Sequence, residues 1–437
     1  MEKLLEMAAK AADQAEVFAC DQVADSVSFQ DAKLHDIETN FLSGVALRIV
    51  KYGKLGFAYT RNLKDRKALL DNAIRSLEGG VEADYEFPKP TGPKKLETYD
   101  PSVKKLSGTD LLAETSRICD TLLAKAAGEI MAGTYTQRNA IRILNSNGAE
   151  LADESSEAGS FCEIFYPGSG SGFGAIHRNK LLTGMPNSRL EEVADMFEKG
   201  KNVVEPKGGR MKVLFMPNSM ITLLWRLGAG LSSRSIHEGI SPVADKIGSQ
   251  LFSDKLTVVD DPLNDSYPGA RAFDDEGVAC APLTLVEKGV LGSFYYDLKY
   301  AKKLGKRSTG HGNRSGPWGG DPVAIKPGPA LTHLFIKPGS APMAKLISMM
   351  DRGLIVEGAL GAHSGNIPNG DYSVGVSPGL YVENGQVMGR VKDAMVAGNI
   401  YQTLMDVVEL GDELQPSFGG AWVPPILCEG VSVATKG

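Results

Sequence analysis

Apolar and polar residues alternate from Asp25 to Gln30, and two apolar runs follow at Gly44–Val50 and Leu55–Tyr59. Alternation and short apolar runs predict strands, and Tyr52-Gly53 supplies a hairpin turn between the last two. The residues ahead of them carry both charge signs at helical spacing, and Asp65 to Leu77 returns to that spacing. Tyr85 to Tyr99 holds three prolines and several lysines without periodicity. It reads as a linker and places a domain boundary near residue 100.

Thr109 is a plausible N-cap for a helix whose apolar stripe includes Leu111, Leu112, Ile118 and Leu122. Ala140–Leu144 and Glu157–Phe165 read as strands, with a turn at Asn147-Gly148. From Met211 the texture becomes rich in Val and Leu strands, with turns at Lys288-Gly289 and Asn384-Gly385 and helices at Ala341–Met350 and Ile400–Leu410. The expected architecture is α+β: a small N-terminal α/β domain with its linker (1–100), a middle α+β domain (101–208) and a larger strand-rich C-terminal domain (209–437).

Length agrees with this division, because 437 residues exceed what a single hydrophobic core supports. No apolar run approaches the roughly 20 residues of a membrane-spanning helix, and the amino terminus lacks the basic start and long apolar stretch of an export signal. A soluble, cytoplasmic protein without a membrane partner is expected. The net charge of -6 leaves no electrostatic footprint for phosphate backbones, so direct nucleic-acid binding is not expected. Cys20, Cys119, Cys162, Cys280 and Cys428 are odd in number and scattered, which predicts reduced, mostly buried thiols.

Candidate chemistry is sparse. Lys212-Val-Leu-Phe-Met-Pro reads as a strand, after which Asn218 or Ser219 can cap a helix through Ile221–Leu227. Strand-to-helix junctions often carry sites, yet Trp225, Arg226 and two glycines are not zinc ligands of first choice, and pattern alone reads a packing helix. His237-Glu238 opens like a zinc-protease helix, but Ser241 and Pro242 stand where a second histidine would be needed, so a surface loop is expected. The glycine-rich run Gly168–Gly174 lacks a following Gly-Lys-Ser/Thr and reads as a turn after a strand. Asp260-Asp261 and Asp274-Asp275-Glu276 could bind a cation or a peptide amine, but their turn-forming neighbours predict solvated turns. Thr309–Arg314 and Ala362–Asn366 are glycine-rich loops, and their His311, Asn313 and His363 join His237 and Glu238 as candidates to line a groove.

Several stretches, taken in order and spacing, resemble the TldD/PmbA family, historically labelled modulator of DNA gyrase, and within it the PmbA or TldE branch. In the first part they are Val27-Ser-Phe-Gln, Gly44-Val-Ala-Leu-Arg-Ile-Val and Gly56-Phe-Ala-Tyr-Thr. In the last they are Lys246-Ile-Gly, Val259-Asp-Asp-Pro, Phe273-Asp-Asp-Glu-Gly-Val, Leu285-Val-Glu-Lys-Gly-Val-Leu, Lys303-Leu-Gly with Ser308-Thr-Gly, Tyr381-Val-Glu-Asn-Gly and Ala397-Gly-Asn. The resemblance covers almost the whole chain and is weakest in the middle.

This resemblance implies a metallopeptidase family whose active TldD branch binds zinc through a His-Glu-x-x-x-His helix and a later cysteine. Placed on this chain, the helix falls at Leu223–Gly230, so Trp225, Arg226 and Gly230 stand at the first histidine, the glutamate and the second histidine. The cysteine would fall near Pro416–Ala421, which holds none, and Cys428 lies further along. No catalytic residue, metal ligand or cofactor is therefore expected in this chain. The implied role is a non-catalytic subunit paired with a TldD-like protease chain that carries the zinc, acting on unfolded peptides, with a homodimer expected in isolation. Two rival readings are a divergent active metallopeptidase using His237 and Glu238, and a peptide-binding or gyrase-modulating protein with no protease partner.

Overall fold

Tyr52 and Gly53, with φ of 54° and 68°, form the tight turn expected between two strands, and Asp31-Ala32, with φ of 50° and 55°, form another that no glycine announces. They connect β1 (Gln14–Gln30), β2 (Lys33–Lys51) and β3 (Lys54–Thr60). The structure is a computed structural model and describes residues 1–90, 92–316 and 319–436, with Phe418 described by its backbone alone. Helices α1 (Glu2–Ala11) and α2 (Arg66–Arg75, capped by Asp65) bury Leu4, Ala8, Leu69 and Leu70 against Val17, Leu47 and Ile49 of the strands.

The next helix, α3 (Gly108–Leu123), is capped by Ser107 rather than Thr109: Ser107 and Asp110 exchange side-chain-to-backbone bonds in a capping box. Strands β4 (Glu129–Asn145), β5 (Glu150–Phe165) and β6 (Gly172–Asn179) follow. β4 pairs antiparallel with β1 from Glu16↔Asn145 to Gln30↔Met131, giving one six-stranded sheet in the order β3-β2-β1-β4-β5-β6. A single sheet thus runs across residue 100, where linker composition placed a boundary. The linker separates elements in sequence, while strand pairing joins them in space.

After α4 (Asn187–Lys199), β7 (Val203–Val204) and β8 (Gly209–Phe215) enter a ten-stranded sheet. From one edge its order is 359–360, 371–376, 394–399, 426–434, β8, 352–356, 379–383, 386–391 and β7, with 407–410 pairing with 426–434 off this path as the tenth strand. Alternate residues of β8 serve two cores. Val213 and Phe215 join Leu223, Leu227 and Leu231 of α5 (Ile221–Leu231), while Leu214 joins Ile118, Leu190 and Phe197 of α3 and α4. The layer of α3 and α4 therefore lies between the two large sheets. A second six-stranded sheet, centred on 258–260 and 334–336, contributes Val258, Leu285 and Leu334 to the core around α5.

Two expectations change. The helix expected over Ile400–Leu410 stops at Met405, and Val407–Leu410 pairs with Ile426–Cys428 as a strand, which the β-branched Val407-Val408 favours. The acidic runs are not solvated turns: Asp260, Asp274, Asp275 and Glu276 are all buried. Arg48 on β2 donates to both oxygens of Glu16 on β1 at 2.8 and 2.6 Å and to Glu276 at 2.9 Å. Asp274 accepts from the backbone N–H groups of Glu276, Val278 and Gly312, and Arg271 donates to Asp275 at 2.6 Å. Burial is tolerated because each carboxylate has a cationic or backbone donor. This network joins the first sheet to the last part of the chain.

Arg48→Met is expected to lower stability to chemical denaturation by about 3–5 kcal/mol, since it leaves Glu16 and Glu276 buried beside each other without their shared cation. Asp297 gives a pH-dependent test. Its carboxylate caps the helix Leu298–Lys303 through the Tyr300 N–H at 2.8 Å, and burial, then the Glu276 charge, raises its pKa to about 7. The folded value lies above the unfolded one of roughly 4, so stability is full in acid and is lost as pH rises from there through about 7. Asp297→Asn keeps a capping oxygen without the charge. Its melting-temperature advantage over the parent should grow from about pH 4 to pH 7 and stay flat above.

Candidate functional site

The junction of β8 and α5 is the place to look for metal chemistry. Pro217–Met220 forms one 3-10 turn, and α5 continues from it without a side-chain cap. Neither expected cap acts as one: Ser219 donates its hydroxyl to Met216 O at 2.8 Å, and Asn218 donates to Glu357 at 2.6 Å. What holds α5 in place is its apolar stripe, with Leu223, Leu224, Leu227 and Leu231 buried in the largest core.

Each of the three positions that the resemblance placed at a zinc ligand or base has another occupation. Trp225 is half-buried. Arg226 is wholly buried and spends its guanidinium on four main-chain carbonyls, donating to Asp371 O at 2.6 Å, Thr222 O and Ala362 O at 2.9 Å, and Ser364 O at 2.6 Å. It staples α5 to the loop that carries His363. Burial pulls its pKa down, against smaller raising by Tyr372 and Asp371. A cation at this point also repels a divalent metal. At Gly230 a Cβ would lie 2.3 Å from the hydroxyl oxygen of Tyr401 and 3.6 Å from its Cζ. The space a side chain would need is filled.

The segment where the resemblance placed the cysteine does reach this junction. Gln415–Pro416 pairs with Trp422–Val423, and Ser417 donates its hydroxyl to Pro217 O at 2.6 Å. The position brings a hydroxyl, not a thiolate. Cys428 sits in the strand paired with β8, opposite Val213, where burial pushes its thiol pKa up. All five cysteines are buried and unpaired.

The groove candidates separate into two groups. His237 and Glu238 are exposed at the end of α6 (Ser233–His237), a one-turn helix rather than a loop. The His237 ring lies 5.7 Å from that of Tyr300, and Glu238 accepts from Arg234 at 2.9 Å. His363 is exposed on the stapled loop. His311 and Asn313 are instead buried, which removes them from any open groove. His311 Nε2 lies 3.2 Å from Asp260, its Nδ1 lies 2.9 Å from Thr309 O, and Asn313 accepts from Arg271. Glycine content suggested flexible loops, but these side chains complete the buried polar network. Among the described residues, no three His, Cys, Asp or Glu side chains are grouped to hold a metal ion, and no helix is long and apolar enough to cross a membrane.

Sequence reasoning missed Tyr401 and Glu357. Tyr401 follows the Ala397-Gly-Asn stretch, but nothing local indicates that it meets Gly230. Glu357 is a single acid after an apolar strand, with no spacing signal at all.

Several mixed sheets with helices packed between and against them make this an α+β fold. Residues 208–435 match the PmbA/TldA metallopeptidase C-terminal domain and residues 15–78 match PmbA/TldA metallopeptidase domain 1, so the chain belongs to the PmbA/TldD metallopeptidase family. It is 26% identical over 413 residues to an uncharacterized protein of Methanocaldococcus jannaschii, covering 94% of this chain and 95% of that one. It is 24% identical over 448 residues to the metalloprotease PmbA homolog of Haemophilus influenzae, covering 94% and 90%. The crystal structure of TldE from Thermococcus kodakarensis has the same fold, with a TM-score of 0.90 at 23% identity over 99% of both chains.

The Gly230–Tyr401 contact gives a double-mutant test. Gly230→Ala should destabilise the parent by about 1–3 kcal/mol through overpacking. In a Tyr401→Phe background the nearest ring atom is at an ordinary 3.6 Å, and Gly230→Ala should be neutral or, through helix propensity, stabilising by up to about 1 kcal/mol. Tyr401→Phe alone should cost little, because the buried hydroxyl has no hydrogen-bond partner among the described residues.

Proposed function

We propose that this chain is the non-catalytic, peptide-holding subunit of a cytoplasmic TldD/TldE-type zinc metalloprotease, working beside a TldD-like chain that supplies the zinc. The observation that carries this reading is Gly230, whose side-chain space belongs to the Tyr401 hydroxyl. A catalytic zinc takes three protein ligands and leaves one position for water. Here one ligand position is filled, one carries a half-buried indole, and the position of the base carries a guanidinium bound to four carbonyls. The metalloprotease name of the Haemophilus influenzae relative and the TldE fold of the Thermococcus kodakarensis protein support a TldD-like partner. Two related chains that pair with each other can also pair with themselves, so the isolated chain is a homodimer. Unfolded peptides suit such a complex, because strand-like recognition uses the backbone and needs it to be free.

No specific observation favours His237 and Glu238 as catalytic groups: the carboxylate is paired with Arg234, and the ring packs near Tyr300. The test is reconstitution. This chain alone should cut nothing and hold far less than one zinc per chain after dialysis. A TldD-like chain alone should cut an unstructured peptide poorly, and the mixture should cut it well while sparing a folded domain. Mutating the partner's zinc ligands should abolish the activity, and alanine at His237 and Glu238 should not. Cleavage by this chain alone, or stoichiometric zinc in it, overturns the reading.

A further inference from the structure

A cavity of about 250 Å³ opens beside the same junction, between β6, α4, the Pro217–Met220 turn and the helix Met343–Ser348. Phe173, Val193, Met196, Met216, Met343 and Ile347 give it apolar walls. Methionines make such walls adaptable to a flexible aliphatic chain. Glu357, only 7% exposed, also lines it. One of its oxygens accepts from Asn218 at 2.6 Å, while the other accepts no hydrogen bond from the described residues and is not among the enclosed unpaired atoms. A carboxylate oxygen thus faces a cavity whose walls are largely apolar and whose other charged lining residues are Arg189, Glu192, Asp195 and Lys199.

The other charges nearby are accounted for. On α4, Arg189 pairs with Glu192 and also donates to Gln415 at 2.7 Å, and Lys199 pairs with Asp195 at 2.6 Å. On β5, Glu163 is half-buried and adds negative potential. The helix Met343–Ser348 presents Met343, Ala344 and Ile347 to the cavity, and the turn before α5 presents Met216, Pro217 and Asn218. Among the described charged residues lining the cavity, Glu357 is the one without an ion-pair partner.

We propose that this cavity is a subsite for a lysine side chain of a bound, extended peptide, with the methylenes against the methionine-rich wall and the ammonium on the free Glu357 oxygen. Charge complementarity selects a cation, and the single free oxygen selects an ammonium over a guanidinium, whose fork asks for two acceptors. The strand bordering the cavity, β6, is the last of its sheet, so such a peptide passes beside that edge, where Asn218 donates to Gly174 O at 3.5 Å. The proposal rests on the peptide-holding reading for its occupant, not for its chemistry.

Burial raises the Glu357 pKa to about 7, against smaller lowering by Asn218 and Arg189 and raising by Glu163. The lysine ammonium stays protonated to roughly pH 10. Affinity should therefore rise about tenfold from pH 6 to pH 8 as Glu357 ionises.

The test measures binding to this chain alone by fluorescence polarisation, using unstructured peptides that differ at one position: lysine, norleucine, acetyl-lysine or arginine. Lysine should bind at least about tenfold tighter than the others. Glu357→Gln should erase that preference and the pH dependence while leaving norleucine binding unchanged, and Met343→Trp should weaken lysine and norleucine peptides alike by filling the cavity. Equal binding of lysine and norleucine peptides, or a preference that survives Glu357→Gln, overturns the subsite. Lysine amide and norleucine amide, too short to engage a peptide groove, separate the two ideas. Discrimination between the amides without peptide binding sustains the subsite and sinks the peptide-holding reading; peptide binding without discrimination does the reverse.

Discussion

The fold is organised by a buried ion triad. Arg48 reaches from the second strand to Glu16 on the first and to Glu276 in the last part of the chain, with all three side chains almost wholly out of water. Isolated, each charge would be prohibitively costly to bury; together they tolerate only a narrow set of geometries. An apolar contact between the same two parts would be non-directional, whereas the triad needs its donors and acceptors aligned. Beside it, Arg314 lies 4.2 Å over the Phe18 ring, a second cationic contact between the same two parts. Cross-chain registration of the first sheet and the C-terminal sheets is thus electrostatic at one place and apolar at another, where α3 and α4 share a core with Leu214, Ile355, Leu380 and Leu427.

The parts of the fold that depend on neighbouring residues were legible in the sequence. Tyr52-Gly53, Lys288-Gly289 and Asn384-Gly385 all adopt the paired positive φ that their glycines suggest. The apolar stripe of α3 buries Leu111, Ile118 and Leu122 as its period requires. Asp31-Ala32 turns just as tightly with no glycine, because the long pairing of β1 with β2 imposes the turn. Features that depend on distant partners were not legible. Asp274-Asp275-Glu276 has the composition of a solvated turn, and its burial depends on donors distant in sequence, among them Arg48, Leu298, Gly312 and Arg314.

The site followed the same division. The absence of zinc-binding side chains on α5 could be read directly once the helix was placed. What replaced them could not, since Arg226 is satisfied by carbonyls of residues 222, 362, 364 and 371 rather than by any charged neighbour with a recognisable spacing. His311 shows the opposite failure, a glycine-flanked histidine that looked exposed and is locked against Asp260.

The contact between Gly230 and Tyr401 has a consequence for reversibility. A histidine placed at position 230 would not find an empty site awaiting it, because its first side-chain carbon would meet the tyrosine hydroxyl. Vacating that oxygen without a larger residue at 230 yields no ligand, and adding the ligand without vacating it disrupts packing. Position 226 poses a matching obstacle: a glutamate there would turn an acceptor toward carbonyls that now rely on a donor. The order of replacement therefore matters: the tyrosine hydroxyl has to leave before a side chain enters at 230. A metal-binding helix here would need changes at positions 225, 226, 230 and 401 made in a tolerated order, not a single substitution.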